Sequence, residues 1–267
     1  MLITLLASTR TMGPKWICFV VCALLSLCDS AYVDTINKCS FKDDECFTKT
    51  VQKILIDVGT NGIKELNMPA VDRLDLTGLS VSIFGMFNIN VIEGYITGVK
   101  DCVINHAHND FDARETQLDL VCDVTINSKN KFDNLSPAAQ KLFGAEDVSG
   151  IGSFVLKINK IHIKMKYPFD IVKKDDGDIY IVLKKDGLKS DFEIENLNIK
   201  TDKILVGKQD LSEFVENLVN ENWKSLLPIF GDSAFGAALS IIKEILGKFF
   251  DNVPAKYYFT EDLTSYL

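Results

Sequence analysis

LSEFVENLVNENWKSLLPIFGDSAFGAALSIIKEILGKFF, residues Leu211–Phe250, decides the fold. Apolar residues stand at Leu211, Phe214, Val215, Leu218, Val219, Trp223, Leu226, Leu227 and Phe230, then from Phe235 through Leu239, Ile242 and Leu246 to Phe250. Steps of three and four predict one helix with a wide apolar stripe. At 1.5 Å per residue it would run about 60 Å. Pro228 and the Gly231/Gly236 pair should kink or interrupt it. Such a helix is hidden from water by an extended sheet or by another long helix. Residues 79–199 supply a sheet: Leu118, Leu120, Cys122, Val124 and Ile126 alternate on one face of a strand. Further alternating sets are Phe154–Ile158, Ile161–Tyr167, Ile179–Leu183, Phe192–Ile194 and Leu197–Ile199. Their other faces carry Lys and Asp, as in an antiparallel sheet wet on one side. A long apolar helix gripped by a curved sheet suggests a container for an apolar molecule.

The N-terminal part reads as a leader. Met12–Ser30 has a basic flank at Lys15, an apolar run Trp16–Leu27, and small residues Cys28 and Ser30 before a cut at Ala31. The run is shorter than the roughly 20 residues of a membrane span. The expected division is therefore a signal peptide, 1–30, and one ligand-binding domain, 31–267. Loss of Arg10, Lys15 and Asp29 takes the net charge from −8 to −9. That balance argues against nucleic acid and anionic membrane surfaces as partners. It suits a soluble extracellular protein, expected as a monomer without stable membrane insertion.

Four cysteines remain after the cut, Cys39, Cys46, Cys102 and Cys122. An even number in a secreted chain implies disulfides, and four cysteines allow three connectivities. Sequence proximity favours Cys39–Cys46 and Cys102–Cys122, with free buried thiols the alternative for the second pair. Asn134-Leu135-Ser136 is a glycosylation sequon, followed by Pro137.

A short helix is expected over Glu45–Val58, capped by Asp43 or Asp44 and ended by Gly59 and Gly62. Phe47, Val51, Ile54, Leu55 and Val58 form its apolar face. Gly62–Leu74 reads as extended chain broken by Pro69. Asp175-Asp176-Gly177-Asp178 is a hairpin turn rather than a calcium loop.

Enzyme chemistry finds little material. His106, His108, Asp110 and Asp112 recur at every second position, which on a strand would share one face. A polar hairpin tip explains them more simply than a metal site. His162 lies among Lys160, Lys164 and Lys166 and reads as exposed. No GxSxG elbow, P-loop, dinucleotide fingerprint or zinc spacing occurs. The chain is thus read as a binder, not an enzyme, with no metal and no cofactor. Candidate tunnel-lining residues are Phe84, Phe87, Leu120, Phe154, Met165, Phe192, Trp223, Phe230, Phe235 and Leu239.

Four features in order carry a family resemblance. They are the close pair Cys39-Ser-Phe-Lys-Asp-Asp-Glu-Cys46, the segment Gly62–Leu74, Asn220-Glu-Asn-Trp-Lys224 in the long helix, and Phe249-Phe-Asp-Asn-Val-Pro254 before Tyr257-Tyr258-Phe259. The chain resembles the insect takeout and haemolymph juvenile-hormone-binding protein family along essentially all of 31–267. The resemblance implies an α+β tubular lipid-binding (TULIP-type) fold, a long C-terminal helix wrapped by a strongly curved antiparallel sheet. It implies a non-enzymatic extracellular carrier of a small lipophilic ligand, terpenoid or fatty-acid-like, and a Cys39–Cys46 disulfide. A surface-active lipid-binding or innate-defence role on the same fold is the alternative. The dedicated hormone carriers form a second disulfide later in the chain, whereas no cysteine follows Cys122 here. Asp72-Arg73 stands where members often carry Asp-Pro. Both departures point to the broader takeout-like branch.

Overall fold

A computed structural model describes residues 31–83, 87–133, 136–137, 140–141, 150–184, 186–206 and 209–267. The chain divides into two units, Met1–Thr35 and Ile36–Leu267. The leader residues 1–30 and the sequon at Asn134 lie outside the described residues. Of the first unit, a short 3-10 helix, Tyr32–Thr35, is described.

The spine of the second unit is a pair of long antiparallel strands. β5 (Glu115–Asp133) pairs with β6 (Gly150–Lys173) from Glu115↔Pro168 to Phe132↔Gly150. A strand of β6's length spans roughly 80 Å at about 3.3 Å per residue. Each spine strand serves two shorter strands in succession along its outer edge. β3 (Phe87–Thr97) takes residues 125–133 of β5, and β4 (Val103–Asp110) takes 115–121. β8 (Lys189–Asp202) takes residues 153–166 of β6, and β7 (Ile179–Leu183) takes 169–173. β1 (Leu74–Asp75) and β2 (Ser80–Ile83) flank β3. β9 (Leu205–Val206) and β10 (Gln209–Asp210) form a separate two-stranded hairpin. The result is one curled antiparallel sheet.

The curl is built at bulges. The register shifts between Val91 and Glu93, Ile104 and His106, and Cys122 and Val124. The third shift corrects the sequence reading. There, Phe154–Ile158 and Ile161–Tyr167 look like two strands, because the apolar positions switch from even to odd numbers. Both belong to β6. Lys160 adopts φ +47 between them, so the chain gains one residue while Ile158 pairs Val124 and Ile161 pairs Cys122. Asp123 accepts the Lys160 N–H at 2.7 Å. The same switch in β8, between Ile194 and Leu197, stands opposite Ile161 and Ile158. Apolar side chains therefore stay inside across the bend. The Cys102–Cys122 disulfide, with Cα atoms 4.3 Å apart, sits where β5 changes partner from β4 to β3.

Two helices complete the unit. α1 runs Asp44–Asn61, with the Asp43 carboxylate accepting the Cys46 N–H at 3.0 Å. Gly62, at φ +66, ends it. Gly59 does not; a Cβ there would lie 2.4 Å from the Cβ of Lys100, so this glycine lets the helix approach the 3-10 turn Val99–Asp101. Gly62–Leu74, expected to be extended, is mostly turns: a 3-10 turn at Lys64–Leu66 ending in left-handed Asn67, and a bend and turn over residues 71–73, with Ile63 and Met68 bridged. α2 runs unbroken from Ser212 to Asn252; Pro228 and the glycines do not interrupt it.

Both helices cap open sheet edges in the same way. Among the described residues β4 and β8 have no further strand partner on their outer edges. On α1 the positions Asp44, Thr48 and Gln52, four apart, run along β4. Gln52 donates to Cys102 O (2.9 Å) and accepts from Ile104 N (2.8 Å), and Thr48 accepts from Ala107 N (2.9 Å). On α2, Ser212, Glu216 and Asn220 run along β8 with the same spacing. Ser212 Oγ accepts from Ile204 N (2.8 Å) and Glu216 from Thr201 N (3.0 Å). Asn220 accepts from Ile199 N (2.7 Å) and donates to Ile199 O (2.9 Å). Side chains thus satisfy edge groups that would otherwise pair with another chain.

One end of the sheet is plugged with aromatic rings. Phe41, Phe169, Phe259 and Tyr266 pack around the buried Phe111, with ring centroids 4.7–5.9 Å apart. The C-terminal tail is laced to the first disulfide: Cys39 N–H donates to Tyr258 O, and Thr260 N–H to Cys39 O, both at 3.0 Å. Cys39–Cys46 closes with Cα atoms 5.7 Å apart. Burial holds the Tyr258 phenol far above its ordinary pKa.

Candidate functional site

Between α2 and the inner face of the sheet lies a cavity of about 790 Å³. That falls in the upper part of the range of roughly 300–1,000 Å³ typical of ligand pockets. Its floor is α1, through Val51, Ile54, Leu55 and Val58. Its walls are the inner faces of β5, β6 and β8, and its length is set by α2. Every described lining residue is Val, Ile, Leu, Met, Ala, Phe, Trp or a disulfide-bonded Cys.

The wall follows from strand and helix periodicity. Leu118, Leu120, Cys122, Val124 and Ile126 all line it, as do Phe154–Ile158 and Ile161–Met165 on alternate positions of β6. α2 lines it with Phe214, Leu218 and Trp223 early and with Ile242, Ile245 and Phe249 late. On an ideal helix of 3.6 residues per turn the early and late faces lie roughly 150° apart. Pro228 stands between them. The helix therefore rotates its lining face along the cavity, a change that a single stripe in the sequence does not reveal. Phe214 and Leu218 line the cavity yet remain 60% and 41% exposed, which puts the mouth beside the first turns of α2.

Of the candidates read from sequence, Leu120, Phe154, Met165, Phe192, Trp223 and Phe235 line this cavity. Phe192 and Phe235 stack across it, centroids 4.2 Å apart. Leu239 is half-buried and is not among the residues that line the cavity. Phe84 lies outside the described residues, and so do the side chains of Phe87 and Phe230. The sequence reading favoured phenylalanines; the wall is mostly aliphatic, and Ala238, Ile245 and Val99 were missed. Their signal was present as helical and strand phase, not as residue type.

The polar hairpin stands apart from the cavity. His106 and His108 share a face of β4, their rings parallel within 7° and 6.2 Å apart. His108 Nδ1 meets the Asp44 carboxylate at 2.8 Å, extending the α1–β4 seam by one turn. Asp110 caps the turn by accepting the Ala113 N–H at 2.8 Å. Among the described residues no group of three or more His, Cys, Asp or Glu is placed to hold a metal. His162 is exposed on the outer face.

A curled antiparallel sheet closed by a long C-terminal helix over an apolar cavity defines a tubular lipid-binding protein of α+β class. The chain belongs to the haemolymph juvenile hormone binding protein family, whose model matches residues 17–260. The crystal structure of Epiphyas postvittana Takeout 1 is similar in fold, with a TM-score of 0.70, 22% identity, and 84% of this chain and 99% of that one covered. A lipopolysaccharide binding protein structure aligns over 68% of this chain and 37% of its own, with 14% identity and a TM-score of 0.29, too low to carry an argument. No curated protein matches the chain. Family and cavity together make it a lipophilic-ligand carrier in general terms. Among the described residues no helix is long and apolar enough to cross a membrane.

Proposed function

We propose that the protein is a secreted carrier that encloses one small lipophilic molecule, of terpenoid or acyl-chain type, in the cavity under α2. The observation that carries this reading is the cavity wall, apolar over both long helices and six strands. An ordinary core at native density would leave no such space. Secretion is supported by the two disulfides, which persist in oxidising compartments, and by the leader-like run Trp16–Leu27. Leu120, Phe154, Met165, Trp223 and Phe235 are the proposed ligand contacts. Binding energy would come from burial. A C15–C18 ligand burying roughly 300–400 Å² gains about 8–10 kcal/mol at some 25 cal/mol per Å². Lost freedom takes back at least about 4 kcal/mol, leaving about 4–6 kcal/mol, a Kd between roughly millimolar and tens of micromolar.

Native mass spectrometry and solvent extraction of protein purified from its natural fluid test the reading. A carrier yields an apolar molecule in stoichiometric amount. Protein that carries none, and takes up none of a panel of terpenoids and acyl chains, would overturn it.

A further inference from the structure

We infer that the cavity selects neutral ligands and rejects ionised ones, so that a fatty acid enters only as the uncharged acid while esters, alcohols and hydrocarbons of equal length enter freely. This rests on the carrier reading above and narrows it to a ligand class. The ground is the makeup of the wall. No described lining residue bears a charge or a side-chain oxygen. On β5, between the lining residues Ile126 and Phe132, stand Ser128 and Asn130. Both are buried, their side chains bond one another at 3.0 Å, and neither lines the cavity. Among the described lining residues a carboxylate brought inside would meet no cation and a single side-chain donor, the indole N–H of Trp223, and burial with so little compensation drives the group to its neutral form.

The mouth does not rescue the anion. The segment bearing the exposed rim residues Phe214 and Leu218 carries, among its described charged residues from 202 to 216, Asp202, Lys203, Asp210, Glu213 and Glu216. In sequence the same segment holds four carboxylates against two lysines, Lys203 and Lys208, and the whole chain is at −8. A head group left at the rim would meet like charge. The Thr201 N–H that Glu216 holds and the Ile204 N–H that Ser212 holds are already engaged along β8.

The size of the discrimination follows from proton linkage. A carboxyl group with an ordinary pKa near 4.3 is ionised about 500 times more than it is neutral at pH 7. If only the neutral acid enters, the acid binds about 500-fold more weakly than its ester at pH 7. It should gain about tenfold for each pH unit down towards 5, because each unit raises the neutral fraction tenfold.

The test is displacement of N-phenyl-1-naphthylamine from the lipid-stripped protein by dodecanoic acid, methyl dodecanoate and dodecan-1-ol at pH 5, 6, 7 and 8. The ester and the alcohol should displace the probe equally at every pH, which also controls for titration of the protein. The acid should lag at pH 7 and converge on them as the pH falls. Glu213→Lys, at an exposed position outside the lining and next to Phe214, should raise the affinity for the acid at pH 7 by tenfold or more and leave the ester unchanged. Equal, pH-independent displacement by acid and ester in the wild-type protein would overturn the inference while leaving the carrier reading intact. Failure of the probe and all three competitors to bind would overturn both.

Discussion

Ala238→Trp should make the protein more stable and a worse binder at once. Ala238 is a half-buried lining residue on α2, close in sequence to the lining residues Phe235, Ile241 and Ile242. A Trp side chain buries roughly 150–250 Å². Placed here, about half of the ring, on the order of 100 Å², would cover wall otherwise offered to the ligand. At about 25 cal/mol per Å² this costs binding some 2.5 kcal/mol, or about 60-fold in Kd. The same contact is gained by the ligand-free protein. Less the poorer helix propensity of Trp, about 0.5 kcal/mol, it should stabilise the empty form by about 2 kcal/mol. Over a chain of this size that raises Tm by roughly 4–8 °C. Leu239→Trp is the internal control, being adjacent but outside the lining. The assays are displacement titration and thermal unfolding of lipid-stripped protein. Refutation would be a normal Kd for Ala238→Trp with a weakened one for Leu239→Trp, since the lining face would then have been assigned to the wrong side of α2.

Trp223 lines the cavity, and Trp16 lies in the leader, so a chain cut after Ser30 has one indole reporter. Its emission should be blue-shifted and should move on saturation with dodecan-1-ol; emission like that of free tryptophan, unmoved by ligand, would put it outside. Asn220→Ala removes both hydrogen bonds to Ile199 on the β8 edge, and should cost about 1–3 kcal/mol in denaturant unfolding. A variant as stable as wild type would show that water replaces the side chain without loss. Burial, then the hydrogen bond it donates to Asp176 at 2.6 Å, pushes the Tyr180 phenol up to about 12. A pKa raised on folding means stabilisation that is complete below the unfolded value near 10 and lost as pH climbs towards 12. Tyr180→Phe should therefore unfold less steeply with pH over that window, and identical alkaline profiles for the two proteins would disprove the linkage.

The architecture was legible where one physical rule acted alone. The β5 alternation from Leu118 to Ile126 identified a strand and its inner face, and every member of it reached the cavity. The hairpin at Asp175–Asp178 was legible because Gly177 supplies the φ of +87 that the turn needs. Reading failed where two rules met. At Lys160 the strand rule demanded strict alternation while the bend demanded an extra residue, so one strand of β6 was read as two. At Gly59, a helix-ending residue type was used for close packing against Lys100. Leu239 lies about 20° in helical angle from the lining residues Leu246 and Phe250, so its place outside the lining is not a matter of helical phase.

The same geometry explains how so large an apolar space can persist. A void lined by aliphatic side chains costs about 24 cal/mol per Å³ in protein cores, while whole domains are stable by only about 5–15 kcal/mol. A cavity of about 790 Å³ would exhaust that margin several kcal/mol over if it stood empty and the walls were free to close. Closure is resisted from three directions. The bulges at Lys160 and Cys122–Val124 fix the bend of the spine, and the Cys102–Cys122 bridge ties the bend to the adjoining edge. The aromatic plug holds the far end apart with rings that have no room to slide inward. The paired helix seams matter most. Asp44–Thr48–Gln52 and Ser212–Glu216–Asn220 hold α1 and α2 at the rims of the sheet through hydrogen bonds whose geometry fails if either helix sinks towards the core. Polar contacts at the edges thus set the separation of apolar walls that would otherwise meet. The ligand then completes the core, and its burial supplies what the seams and the spine withhold.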